Sequence, residues 1–100
     1  MDLEKLEQSI GYTFKNKDIL KQALTNTSYS YENKVSSNER LEFLGDAVLE
    51  LIASRYLFED YKNLSEGEMT KVRASVVCEK SLHEVAMKHN FGNFLYLRKK

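Results

Sequence analysis

From Ser36 to about Tyr61 the chain keeps apolar residues at helical spacing, with no proline and a single glycine, Gly45, to interrupt it. A pattern of that length dictates a long α-helix. Ser36 and Glu39 are spaced as a capping box and would open it. Leu41, Leu44, Val48, Leu51 and Ile52 form an apolar stripe along one side. Phe43, Leu49, Ala53 and Leu57 add apolar bulk elsewhere, so that from Ala47 to Leu57 most of the circumference is apolar. Such a helix is expected in the middle of a bundle. Gly45 costs about 1 kcal/mol in a helix relative to alanine, which predicts close approach of another backbone or chain there.

The rest of the chain reads as shorter helices. Leu3, Leu6 and Ile10 are spaced for a first one, with Gly11 to stop it. Asn16 can cap a second that carries Ile19, Leu20, Ala23 and Leu24. The polar, tyrosine-bearing stretch from Asn26 to Ser37 reads as a loop. Ser65 and Glu68 repeat the capping-box spacing ahead of a helix with Met69, Val72, Val76 and Val77 on its inner side. Leu82, Val85 and Ala86 continue the helical period to about His89, with Asn90 or Gly92 as a stop. The fold class is therefore all-α, one small helical domain of 100 residues without visible repeat or linker. The segment from Phe91 to Leu97 is apolar and is followed by Arg98, Lys99 and Lys100. A self-contained domain more often ends in a capped helix or polar tail, so the chain is expected to be cut within its fold.

Composition narrows the function classes. Fifteen basic and 15 acidic side chains balance, which argues against a domain held to nucleic acid by net charge alone. It leaves room for a nuclease that grips RNA with another domain. The single cysteine, Cys78, cannot form an internal disulfide, so a reducing, cytoplasmic setting is expected. The N-terminus lacks the pattern of a signal peptide, and no apolar run approaches the ~20 residues a membrane helix needs.

On the long helix Glu39, Glu42 and Asp46 recur at i, i+3 and i+7, within roughly 60° of each other. Glu50 continues the row, and Arg40 is the only base on that helix before Arg55. Stacked carboxylates repel each other. Two readings stand side by side. The row is a solvated acidic face, or it binds a hard divalent cation through oxygen. Burial of the helix would favour the second, because desolvated carboxylates need a compensating cation or donor.

The stretch Asn38–Leu49, NERLEFLGDAVL, resembles the signature of bacterial ribonuclease III, over a dozen consecutive residues. Ala23–Tyr29 (ALTNTSY) and Leu64–Ala74 (LSEGEMTKVRA) are similar to the family's segments before and after it. The resemblance covers essentially the whole chain. It implies the helical bundle of the ribonuclease III endonuclease domain, truncated here at its C-terminal side. It also implies a Mg²⁺-dependent endoribonuclease, with Mn²⁺ as a substitute ion, that hydrolyses double-stranded RNA to 5′-phosphate and 3′-hydroxyl ends during RNA processing, ribosomal RNA included.

Carried over by position, Glu42 and Asp46 are the catalytic, metal-binding carboxylates. Glu39 and Glu66 fall at positions associated with structure and substrate contact. Phe43 corresponds to the aromatic residue that enters a pocket on the partner subunit, which implies a homodimer. No membrane and no small-molecule cofactor are implied. The family usually has histidine where this chain has Asn26, a variation expected to lie away from the metal. The family also completes its site with an Asp and a Glu one turn apart on a later helix, and adds a double-stranded-RNA-binding domain. Neither follows Asn90. These 100 residues are thus expected to carry half of the metal site and to be inactive alone. A rival reading is a non-catalytic dimeric scaffold or RNA-binding module of the same fold, against which the retained Glu42 and Asp46 speak.

Other residues carry plainer expectations. His83 and His89 are six apart, roughly 240° around a helix, and cannot share a metal on one face. Cys78 is expected to be a small core or boundary residue. Tyr29 and Tyr31 are expected in packing or on plain surface. Lys71 and Arg73 read as a solvated helix face, with phosphate contact as the alternative.

Overall fold

A computed structural model describes residues 2–96. It contains six α-helices and a closing 3-10 turn, and its residues fall into two compact bodies. The cut falls inside the longest helix, after its first turn, and that helix is itself continuous. Leu97 and the basic triplet Arg98–Lys100 lie outside the described residues.

The first body holds residues 2–42 and 86–96. Helix α1 (Leu3–Ile10) begins where the Asp2 side chain accepts from the Glu4 N–H at 3.0 Å, and ends at Gly11 with φ 72. That left-handed conformation has no steric cost for glycine. Helix α2 (Lys17–Ala23) is capped by Asn16, as its sequence predicts. Leu6, Leu20 and Leu24 form the buried core, flanked by Leu3, Phe14, Phe91, Phe94 and Tyr96. Ile19 and Ala23, expected beside Leu20, are exposed. The short helix turns only its Leu20 side to the core.

The polar stretch after α2 is not the expected loop. Thr27–Asn33 is helix α3, capped by the Asn26 side chain, which accepts from the Ser28 N–H at 2.9 Å. Its Tyr29 ring lies 5.3 Å from that of Tyr96. A contact across so much sequence, together with a cap, stabilises a helix that has no apolar periodicity of its own. Lys34, with φ 53, ends it.

The same region fixes where the longest helix starts. The Asn38 N–H donates to the Thr25 carbonyl (2.9 Å) and its side-chain amide to that of Ala23 (3.2 Å), while Gln22 Nε2 donates to the Ser37 carbonyl (3.2 Å). The Asn26 N–H donates to the Tyr96 carbonyl (3.0 Å) and the Tyr96 N–H to that of Leu24 (2.8 Å), around the isolated parallel bridge Thr25↔Tyr96. Helix α4 (Glu39–Asp60) therefore begins at a point hydrogen-bonded to the end of α2. The expected Ser36–Glu39 capping box does not form. The Ser37 hydroxyl accepts from the Glu39 N–H instead, at 3.4 Å.

The second body, residues 43–85, contains most of α4, then α5 (Glu66–Val76) and most of α6 (Glu79–Lys88). The capping box predicted for Ser65 and Glu68 is present in full. Helices α5 and α6 are separate, broken at Val77 and Cys78, where one continuing period was expected. Asn90, at φ 55, provides the predicted stop ahead of the 3-10 turn Phe91–Phe94.

Burial in this body departs most from expectation. Leu57 is the only buried residue of α4, while Leu44, Val48, Leu51 and Ile52 are exposed. On α5 Val72 and Val76 are exposed as well. Nothing among the described residues covers these faces, so α4 is not the enclosed central helix its sequence suggests. A Cβ added at Gly45 would meet no atom within 4 Å, so the close approach expected there is not made within this chain.

Candidate active site

The acid row stands on α4 as predicted, but with a different end. Glu39 and Glu42 occupy the first turn and Asp46 the next. All three side chains are exposed, and no ion pair or hydrogen bond engages their carboxylates among the described residues. Glu50, expected to continue the row, differs from the other three in carrying an ion pair. Its Oε2 lies 3.2 Å from Arg73 Nε, and Arg73 Nη1 donates to Ser54 Oγ at 2.9 Å. Arg73 is thus bound to α4 and is not the wholly solvated side chain expected of it.

Glu66 opens α5 and is exposed, and it lines a groove of 510 Å³ with Leu51, Leu57, Phe58, Met69 and Arg73. The groove contains neither Glu42 nor Asp46. Phe43, between Glu42 and Leu44, is 83% exposed. A phenylalanine held that far into solvent is a marked departure from the usual burial of its type.

Among the described residues no three His, Cys, Asp or Glu side chains gather as they would around a metal ion. The pair Glu42 and Asp46 nonetheless fits a magnesium ion in donor chemistry. Both present carboxylate oxygens from one helix, four residues apart and therefore about 5–6 Å apart at Cβ. Mg²⁺ is commonly held by one or two carboxylates while it keeps several waters.

The remaining candidates lie elsewhere. His83 is exposed, and His89 Nδ1 is 2.7 Å from Ser9 Oγ, with its ring stacked on Phe91. Tyr29 packs against Tyr96, while Tyr31 is fully on the surface. Cys78 is exposed in the bend before α6, not in the core or at its boundary. Its thiol contacts the Ser75 carbonyl and Ser81 Oγ, and the Ser81 hydroxyl holds its pKa below the ordinary thiol value. Asn26, where the resemblance leads one to expect histidine, is the cap of α3. What sequence reasoning missed is the Arg73–Glu50 pair. Its partners lie on different helices, so no local spacing announces it.

The nuclease domain of ribonuclease III from Campylobacter jejuni superposes with a TM-score of 0.88 at 47% identity, over 96% of this chain and 65% of that one. The model of the family described as Ribonuclease-III-like matches residues 16–100. Ribonuclease 3 of Oceanobacillus iheyensis is 52% identical over 99% of this chain and 45% of its own length. Ribonuclease 3 of Shouchella clausii is 56% identical over 89% of this chain and 35% of its own. The chain belongs to the ribonuclease III-like family. It spans less than half the length of these two relatives.

Proposed function

We propose that this chain is the front part of a ribonuclease III-type catalytic domain, and that Glu42 and Asp46 are its metal-binding, catalytic carboxylates. The observation that carries this reading is a pair of exposed, unpaired acids one turn apart, inside the stretch that matches the family. Phosphodiester hydrolysis needs a nucleophilic water and a stabilised leaving oxygen. A bound Mg²⁺ supplies both, and Mn²⁺ can replace it. The residues of this chain contribute the oxygens that hold the ion and leave space on the exposed face for a phosphate. Glu39, in the first turn, and Glu66, at the start of α5, serve substrate contact or support.

The substrate class is double-stranded RNA, cut to 5′-phosphate and 3′-hydroxyl ends in RNA processing, ribosomal RNA included, in the cytoplasm. The partner is a second copy of the chain. Phe43 and the exposed apolar residues of α4 support a homodimer, because contiguous apolar surface marks an interaction site. Among the described residues no helix is long and apolar enough to cross a membrane. The same exposed apolar face would equally serve a non-catalytic dimeric scaffold, and the acid pair is what favours the enzyme.

The test is cleavage of labelled duplex RNA with Mg²⁺ by a protein extended past Lys100, by the same protein with Asp46→Asn, and by these 100 residues alone. The extended protein should cut. Asp46→Asn should reduce turnover by two or more orders of magnitude, on the order of what is lost with a charge-stabilising group. The 100 residues should leave the duplex intact. Unchanged turnover in Asp46→Asn would remove that residue from the mechanism. Robust cutting by the 100 residues would show that two carboxylates suffice.

A further inference from the structure

Glu39, Glu42, Asp46 and Glu50 follow one another along the front of α4, yet only the first three are free. Glu50 lies one turn beyond Asp46, close enough to share an ion with it (about 5–6 Å between Cβ atoms). It is held by Arg73, which reaches across from α5 with Nε at 3.2 Å from Glu50 Oε2 and Nη1 at 2.9 Å from Ser54 Oγ. Ser54 Oγ in turn donates to the Glu50 carbonyl at 2.7 Å. A guanidinium presents its donors in a rigid planar fork, so two engaged nitrogens fix where the group sits. Arg73 so placed engages the Glu50 carboxylate in an ion pair, while Glu42 and Asp46 have no such partner among the described residues.

We propose that Arg73 is a positioning residue that ends the metal-binding row at Asp46, by holding Glu50 away from the ion. This rests on the reading of Glu42 and Asp46 as metal ligands. The physical need is an open coordination shell. Mg²⁺ demands near-octahedral geometry and keeps several waters when few carboxylates bind it, whereas Ca²⁺ accepts more oxygens in looser geometry. A third carboxylate from the same helix would displace a water, and hydrolysis uses a bound water as its nucleophile. Arg73 thus keeps the number of protein oxygens low and the preference toward the smaller ion.

Binding of Ca²⁺ and Mn²⁺ to the protein, measured by calorimetry and by the Mn²⁺ electron-spin signal, tests this without any activity. Arg73→Gln should tighten Ca²⁺ binding, by about tenfold, as an added charged ligand does. Arg73→Gln combined with Glu50→Gln should return to the wild-type affinity. Glu50→Gln alone should not tighten binding, because its carboxylate is engaged by Arg73 and supplies no ligand to the ion. A merely structural role for Arg73 predicts the opposite sign, since a loosened helix pair would bind more weakly. Equal or weaker binding in Arg73→Gln, or tightening that survives in the double variant, overturns the inference. So does tighter binding in Glu50→Gln, which does not depend on the Arg73 variant folding. The underlying site has its own arm. If Asp46→Asn leaves ion binding intact, the ion sits elsewhere and the proposed ligands fail. If Asp46→Asn weakens binding while Arg73→Gln has no effect, only the role of Arg73 falls.

Discussion

Two kinds of carboxylate occur in this molecule, and their surroundings separate them. Glu7 is 5% exposed, takes Lys17 Nζ at 2.6 and 2.8 Å, and accepts the Phe14 N–H at 2.5 Å. The hydrogen bond from Lys17 first, and that from Phe14 next, hold its pKa below the ordinary 4.5. Between the lowered folded value and 4.5 the unfolded chain binds more protons than the folded one. The stabilisation from Glu7 is therefore complete above 4.5 and lost as pH falls through the folded value. Thermal midpoints across that range should fall for the wild type. Glu7→Gln should start lower at neutral pH and show a flatter acid limb, and parallel curves would contradict this. Glu42 and Asp46 are the other kind, exposed and without partners among the described residues. Their shared face was legible because helical spacing alone sets it. The Lys17 partner of Glu7 and the Arg73 partner of Glu50 were not legible, since each arises from separate elements brought together.

At the scale of the element, caps and stops were the readable part. Gly11, Asn16, Ser65 with Glu68, and Asn90 stand at the ends where their side-chain chemistry or backbone freedom puts them. These signals act within a few residues, so the sequence contains all of their physics. Ser65 Oγ accepts the Glu68 N–H at 3.1 Å, while the Glu68 carboxylate takes the Ser65 N–H at 3.0 Å and is held below its ordinary pKa by it. Ser65→Ala should cost about 1 kcal/mol. The check is the denaturant midpoint, which should move at constant slope. A variant as stable as wild type would show that the cap is idle. Helix α3 and the start of α4 escaped for a shared reason. The first relies on Asn26 and the Tyr29–Tyr96 contact, the second on Asn38 and Ser37 reaching the end of α2. Ser36, by contrast, matched a local pattern that the chain path overrides.

For the molecule as a whole, the exposed side of α4 is the dominant fact. Phe43, Leu44, Leu51 and Phe58 are each at least 60% exposed, an arrangement costly in water. If a second copy covers Phe43, then Phe43→Ala should raise the dimer dissociation constant about tenfold or more, as loss of a buried aromatic anchor does. Sedimentation equilibrium over a range of concentrations measures it. An unchanged constant would take Phe43 out of the interface. The amino-acid order by itself determined the all-α class, most helix ends and the alignment of Glu39, Glu42 and Asp46, because contacts within about one or two turns decide all of these. Only the tertiary structure decided which acids stay free, that Glu50 is bound by Arg73, and that α4 leaves its apolar side open. Those outcomes depend on distances between elements far apart in the chain, and local periodicity carries no information about them.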